Sequence, residues 1–135
     1  MRPTAAALQK VLHLWATIQT VCSDACDSRI NFYSPTWEPL DNADFITLPM
    51  QADFLPDTIP AEIADTLSTP WESLCTEANI LLLRASLADS TSILQFEYTT
   101  PQYMSKKTAT LIPPLLLRHR IHYEGKPSKF VRKEA

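Results

Sequence analysis

The chain has 135 residues, 45% of them hydrophobic, which is enough for one packed domain and too apolar for a disordered one. A single glycine, Gly125, stands against 11 prolines, which excludes the Walker and Rossmann phosphate loops, since these need glycines where the backbone approaches a phosphate. The net charge of −3 hides an asymmetry: Met1–Tyr103 carries 4 basic and 13 acidic residues, a balance of −9, whereas Met104–Ala135 carries 8 basic and 2 acidic, a balance of +6.

The predicted elements are those of an α/β fold: a small mixed or antiparallel sheet flanked by an N-terminal helix and a second short helix. Residues 1–103 form the single domain and residues 104–135 a basic, partly flexible extension. Thr4 to about Asp24 reads as an amphipathic helix, because Leu8, Val11, Leu12, Trp15, Ile18, Val21 and Cys22 recur at three- and four-residue steps. Arg29–Tyr33 reads as a short strand and Ser34–Asn42, with Pro35 and Pro39, as a loop. Asp44–Met50 is a strand candidate at a sheet edge, since Pro49 lacks an amide donor.

Pro60 fits the first turn of a helix over Ala61–Leu67, and Pro70 ends it. Trp71, Leu74 and Cys75 suit a further turn packed on the sheet. Asn79–Tyr98 reads as a hairpin: Ile80–Leu83 as a central strand, a turn at Ala88–Ser90, and an alternating, more exposed strand with Leu94, Phe96 and Tyr98 on one face. Leu111–Ile121, interrupted by Pro113 and Pro114, suits an added strand or a docking segment, and Gly125–Ala135 a mobile tail. The longest apolar run there, Leu111–Leu117, is far short of a membrane span, so no membrane insertion is expected.

Cys22 and Cys26 would share a helix face, and a zinc site needs more converging ligands than this pair, so they read as core thiols. Three cysteines without a recognisable leader suggest a reduced, intracellular chain. No metal or cofactor site is predicted. His119, His122 and Tyr123 lie among arginines in RHRIHY and could in principle serve a metal-independent ribonuclease as base, acid and hydroxyl. Catalysis needs rigid placement, and a segment between two prolines and a tail suits phosphate contact better. Arg118, Arg120, Lys126 and Lys129 are the candidate RNA contacts. The sequence offers no nucleophile elbow, HExxH or CxxC.

The order of segments carries a resemblance. A first helix with a Trp (LQKVLHLWATIQ) precedes a proline-containing acidic loop, then DFITLPM, ADFLP, a short helix ending in WESLC, and the hairpin NILLLRASLADSTSILQFEY. Over Leu8–Tyr98 this resembles the smallest, non-catalytic structural subunit of the eukaryotic tRNA-splicing endonuclease, fungal members above all. The resemblance implies an endonuclease-like α/β domain without catalytic residues, assembled into a heterotetramer with catalytic and structural partners. It implies an indirect role in intron removal from pre-tRNA, a part in mRNA processing, and homodimers where the partner is absent. The compartment would be the nucleus, or the cytoplasmic side of the mitochondrial outer surface. Ser92–Tyr98 would present Leu94, Phe96 and Tyr98 to a neighbouring chain. The rival readings are a nucleic-acid-binding adaptor acting through the basic tail and the autonomous ribonuclease.

Overall fold

The computed structural model describes residues 2–11, 14–87, 93–125 and 129–133, the first stretch as backbone. Where a helix is expected over Thr4–Asp24, the chain is extended. Strands β1 (Arg2–Val11), β2 (Leu14–Cys22), β3 (Cys26–Tyr33) and β4 (Pro39–Leu40) form an antiparallel meander in that order. Thr17, Ile18, Thr20 and Val21 are β-branched, and such side chains favour a pleated surface over a helix. Ala16, Ile18 and Thr20 are buried, while Trp15, Thr17 and Gln19 alternate with them on the other face. This period-two pattern coexists with the helical spacing in the sequence, and burial against a second sheet selects it.

Cys22 and Cys26 close the β2–β3 hairpin. They face each other in register and are joined by a disulfide, which corrects the expectation of two core thiols on a helix. Cys75 is the free cysteine; burial pushes its thiol pKa up, with Asp57 and Glu72 adding to the effect.

The second antiparallel sheet runs β5 (Leu83–Leu87), β6 (Ile93–Tyr98), β7 (Arg120–Gly125) and β8 (Phe130–Lys133). The two strands of the expected hairpin are displaced and their roles exchanged: the first is Leu83–Leu87, not Ile80–Leu83, with Ile80 exposed outside it, and β5 lies at the margin while β6 lies between β5 and β7. Leu94, Phe96 and Tyr98 are therefore core residues, at 0%, 3% and 5% exposure. They do not form a face open to a partner. The turn expected at Ala88–Ser90, together with Ser92, lies outside the described residues.

The two sheets meet where β3 runs beside β5. The Leu83 amide donates to the Asp27 carboxylate at 3.2 Å and the Ala85 amide to the Ser28 hydroxyl at 2.8 Å. The Thr99 hydroxyl donates to the Cys26 carbonyl. Ala16, Ile18, Ile30 and Phe32 of the first sheet share one core with Leu83, Ala85, Leu94, Phe96, Ile121, Tyr123 and Phe130 of the second.

The linking segment, 41–82, holds only short helices: α1 (Ala61–Ala64) and α2 (Trp71–Glu77), each begun after a proline. The strand expected over Asp44–Met50 is instead a helical turn at Asn42–Asp44 and irregular chain. Its backbone serves the second sheet: the Phe45 carbonyl accepts from the Phe130 amide at 2.7 Å and the Thr47 carbonyl from the Tyr123 hydroxyl at 2.6 Å. Phe54, fully buried, stacks on Tyr98 with ring centroids 4.7 Å apart.

Residues 104–125 and 129–133 are built into the fold. After β6 come α3 (Thr100–Tyr103), α4 (Lys106–Leu111) and a helical turn at Pro113–Leu115, before β7 and β8 complete the sheet. Ile112, Ile121, Tyr123 and Phe130 bury themselves in the core. The structure is thus mixed α/β with two antiparallel sheets and few helices, and the N-terminal helix of the expected single-sheet architecture is absent among the described residues.

Candidate anion-binding cleft

The residues leading into β7 are fixed before the strand begins. The Leu117 amide donates to the Phe54 carbonyl at 2.8 Å, and the Arg118 guanidinium to the Asp53 carbonyl at 3.1 Å. The Tyr98 amide then bonds the His119 carbonyl at 3.0 Å. From Arg120 onward the strand alternates: Ile121 and Tyr123 enter the core, and Arg120 and His122 face outward.

Cross-strand partners set the outward side chains. Arg120 lies opposite Glu97 and forms an ion pair at 3.1 Å. His122 lies opposite Gln95, with its Nε2 at 2.9 Å from the amide oxygen, and its other neighbour in register is Lys133. Glu124 continues the same face one step further on.

Arg132 is held most firmly. Its two terminal nitrogens donate to the two Asp53 carboxylate oxygens at 2.9 and 3.0 Å, and its guanidinium lies 5.8 Å from the Tyr123 ring centroid. The hydrogen bond from Arg132 holds the Asp53 pKa below the usual carboxylate range, against the opposing effect of burial; the Met50 amide and the charges of Arg132 and Arg118 act with it. Arg132 is raised correspondingly, first by Asp53 and then by Tyr123. Burial raises the Tyr123 phenol.

Around these strands opens a cleft of about 450 Å³, lined by Ile93, Arg118, Arg120, Ile121, His122, Arg132 and Lys133. The lining holds four permanent cations and no carboxylate. Asp53 and Glu97 engage Arg132 and Arg120 from outside it. Such a cleft can seat an anionic group by charge-assisted hydrogen bonds, with Ile93 as an apolar border.

Of the sequence-predicted contacts, Arg118 and Arg120 come together here. Lys129 lines a separate cavity of about 540 Å³ between β8 and residues 43–50, and Lys126 lies outside the described residues. His119, His122 and Tyr123 do not converge. His119 borders another cavity beside Pro101 and Gln102, His122 faces outward, and Tyr123, 1% exposed, points into the core with its hydroxyl committed to Thr47. The ribonuclease triad therefore has no geometry to act through. Among the described residues, no group of three His, Cys, Asp or Glu side chains gathers as a metal site. Nothing local in the sequence marks Asp53 as a counter-ion; the alternation in FVRK, which makes a strand of supposed tail, is the signal for Arg132 and Lys133.

A solved structure described as a domain of an uncharacterized protein from Porphyromonas gingivalis W83 superposes with a TM-score of 0.72 at 23% identity, which shows a shared fold. The match covers 89% of this chain and 58% of that one, so the chain spans little more than half the length of that relative. No curated protein matches the chain. Residues 6–130 match the family described as "Protein of unknown function (DUF3256)", and the two-sheet chain belongs to this family.

Proposed function

We propose that the chain is a non-catalytic binding domain whose β7–β8 cleft seats a short acidic segment of a partner polypeptide. The observation that carries the reading is the cleft lining, whose four cations outnumber Asp53 and Glu97, the two carboxylates that engage them, on a chain whose first 103 residues have a balance of −9. A long nucleic acid would be repelled by that acidic body, whereas a short segment is sensed within roughly one Debye length, about 8–10 Å. The arginines are pre-positioned by Asp53 and Glu97, so little side-chain freedom is lost on binding.

The splicing-endonuclease resemblance has less in the fold to support it. Its N-terminal helix with Trp15 is a strand, and its open partner-facing strand, 94–98, is a core strand. The Cys22–Cys26 disulfide favours an oxidising compartment over the nucleus.

The test is calorimetric titration with hexaglutamate. Binding should weaken steeply with salt and disappear in the Arg118→Glu/Lys133→Glu double variant, whose substitutions are on exposed side chains. Tighter binding of oligouridylate than of hexaglutamate would move the reading to nucleic acid. Binding of neither ligand would refute it.

A further inference from the structure

The outer face of the first sheet carries an aromatic group that the core does not use. Its rows in register are Trp15 opposite Tyr33, Thr17 opposite Asn31, and Gln19 opposite Arg29. The alternate residues Ala16, Ile18, Ile30 and Phe32 face the core, so these six face away from it. Trp37, from the β3–β4 turn, lies over the first row. Its indole stacks on Trp15 with centroids 5.0 Å apart and planes inclined by 12°, and Tyr33 flanks it at 6.0 Å. Trp37 nevertheless remains 49% exposed.

The turn places this ring at a conformational cost. The Trp37 amide closes a turn onto the Ser34 carbonyl at 2.8 Å, and the Ser34 amide reaches the Glu38 carbonyl at 2.9 Å. The Ser34 hydroxyl accepts from the amides of Thr36 and Glu38. In this hairpin Trp37 takes φ 67°, and no other described residue has positive φ. Glycine or asparagine fills such a left-handed position most easily, and a bulky residue there is an outlier. The strain persists because the serine-braced turn and the stack on Trp15 over-determine it, as strain does at sites of use.

We propose that this face is a binding platform for a neutral oligosaccharide. A rigid, half-exposed indole offers the flat apolar surface on which the C–H face of a pyranose ring stacks. The adjoining row, Thr17 and Asn31, supplies donors and acceptors for sugar hydroxyls at the next step along the sheet. Bases also stack on such rings, but platforms for single-stranded nucleic acid add a positively charged groove. Here Arg29 is accompanied by Glu38 beside Trp37. The platform uses different elements from the basic cleft on β7–β8, so the two sites can be tested apart.

The test is affinity electrophoresis and tryptophan fluorescence with cello-, xylo-, manno- and malto-hexaose and with oligothymidylate. At least one hexaose should bind the wild-type chain and shift its emission, and oligothymidylate should not. Trp37→Gly, which suits the turn and so folds, should weaken that binding on the order of tenfold or more, the scale of one lost stacking contact. Arg118→Glu/Lys133→Glu should leave it unchanged. Failure of all four sugars, retention of binding in Trp37→Gly, or Trp37-dependent capture of oligothymidylate would each overturn the proposal.

Discussion

Asp53→Asn is the most informative single change for the second sheet. The Asp53 carboxylate makes two charge-assisted bonds to Arg132 and accepts from the Met50 amide at 2.7 Å. The two side chains are 30% and 23% exposed, Arg132 and Asp53 in that order, so the pair is worth more than a surface ion pair and less than a buried one. Asparagine keeps one acceptor and loses the charge, and the expected cost is about 2 kcal/mol. For a chain of this size that lowers Tm by about 8 °C at neutral pH. The pH dependence has a definite sign. Because folding depresses the Asp53 pKa, its contribution is present above the unfolded value, about 3.9, and is lost as pH falls through the lower folded value. Urea unfolding from pH 7 to pH 2 should therefore show a wild-type acid limb that Asp53→Asn flattens. A neutral-pH loss under about 0.5 kcal/mol, or an unchanged acid limb in the variant, would refute the reasoning. The Asp53→Asn/Arg132→Met cycle should return a coupling of about 1 kcal/mol or more.

Phe96→Ala removes a side chain that is 3% exposed and edge-on to Tyr123, so it should cost about 3–5 kcal/mol in urea denaturation; retained stability would put the strand back at a surface. Cys22→Ser/Cys26→Ser opens a short loop and should cost about 2 kcal/mol, with reducing agent having the same effect on the wild type. Alkylation of the unreduced, denatured chain followed by mass analysis should mark Cys75 alone. Trp37→Ala keeps the left-handed strain that Trp37→Gly relieves, so the glycine variant should be the more stable of the two by about 1 kcal/mol.

The sequence made some of this legible. The alternation in Ile93–Tyr98 identifies a strand, and Pro60 marks the start of α1; Pro70, which reads as the end of that helix, instead opens α2. It misled where two periods coincide. In Leu14–Cys22 the apolar spacing satisfies a helix and a strand together, and only the β-branched content and the facing core decide. Alternation in β6 shows two distinct faces but not which neighbours they meet; a long return through α3 and α4 brings β7 alongside, and no local pattern announces that. The cleft was half visible: Arg118 and Arg120 stood out as cations, whereas Arg132 depends on Asp53, 79 residues earlier in the chain. The aromatic platform depends on a tryptophan at a position where turn chemistry favours glycine.

The bonds from Asp27 and Ser28 to the Leu83 and Ala85 amides have a bearing on self-association. A sheet border normally leaves such donors as a template for an incoming extended chain. Here two short polar side chains already occupy them, so a second copy adding there by strand pairing would have to displace bonds the monomer has made. Along β5 the fold is thereby guarded against end-to-end stacking of copies, without a proline, a lysine or a bulge at that border.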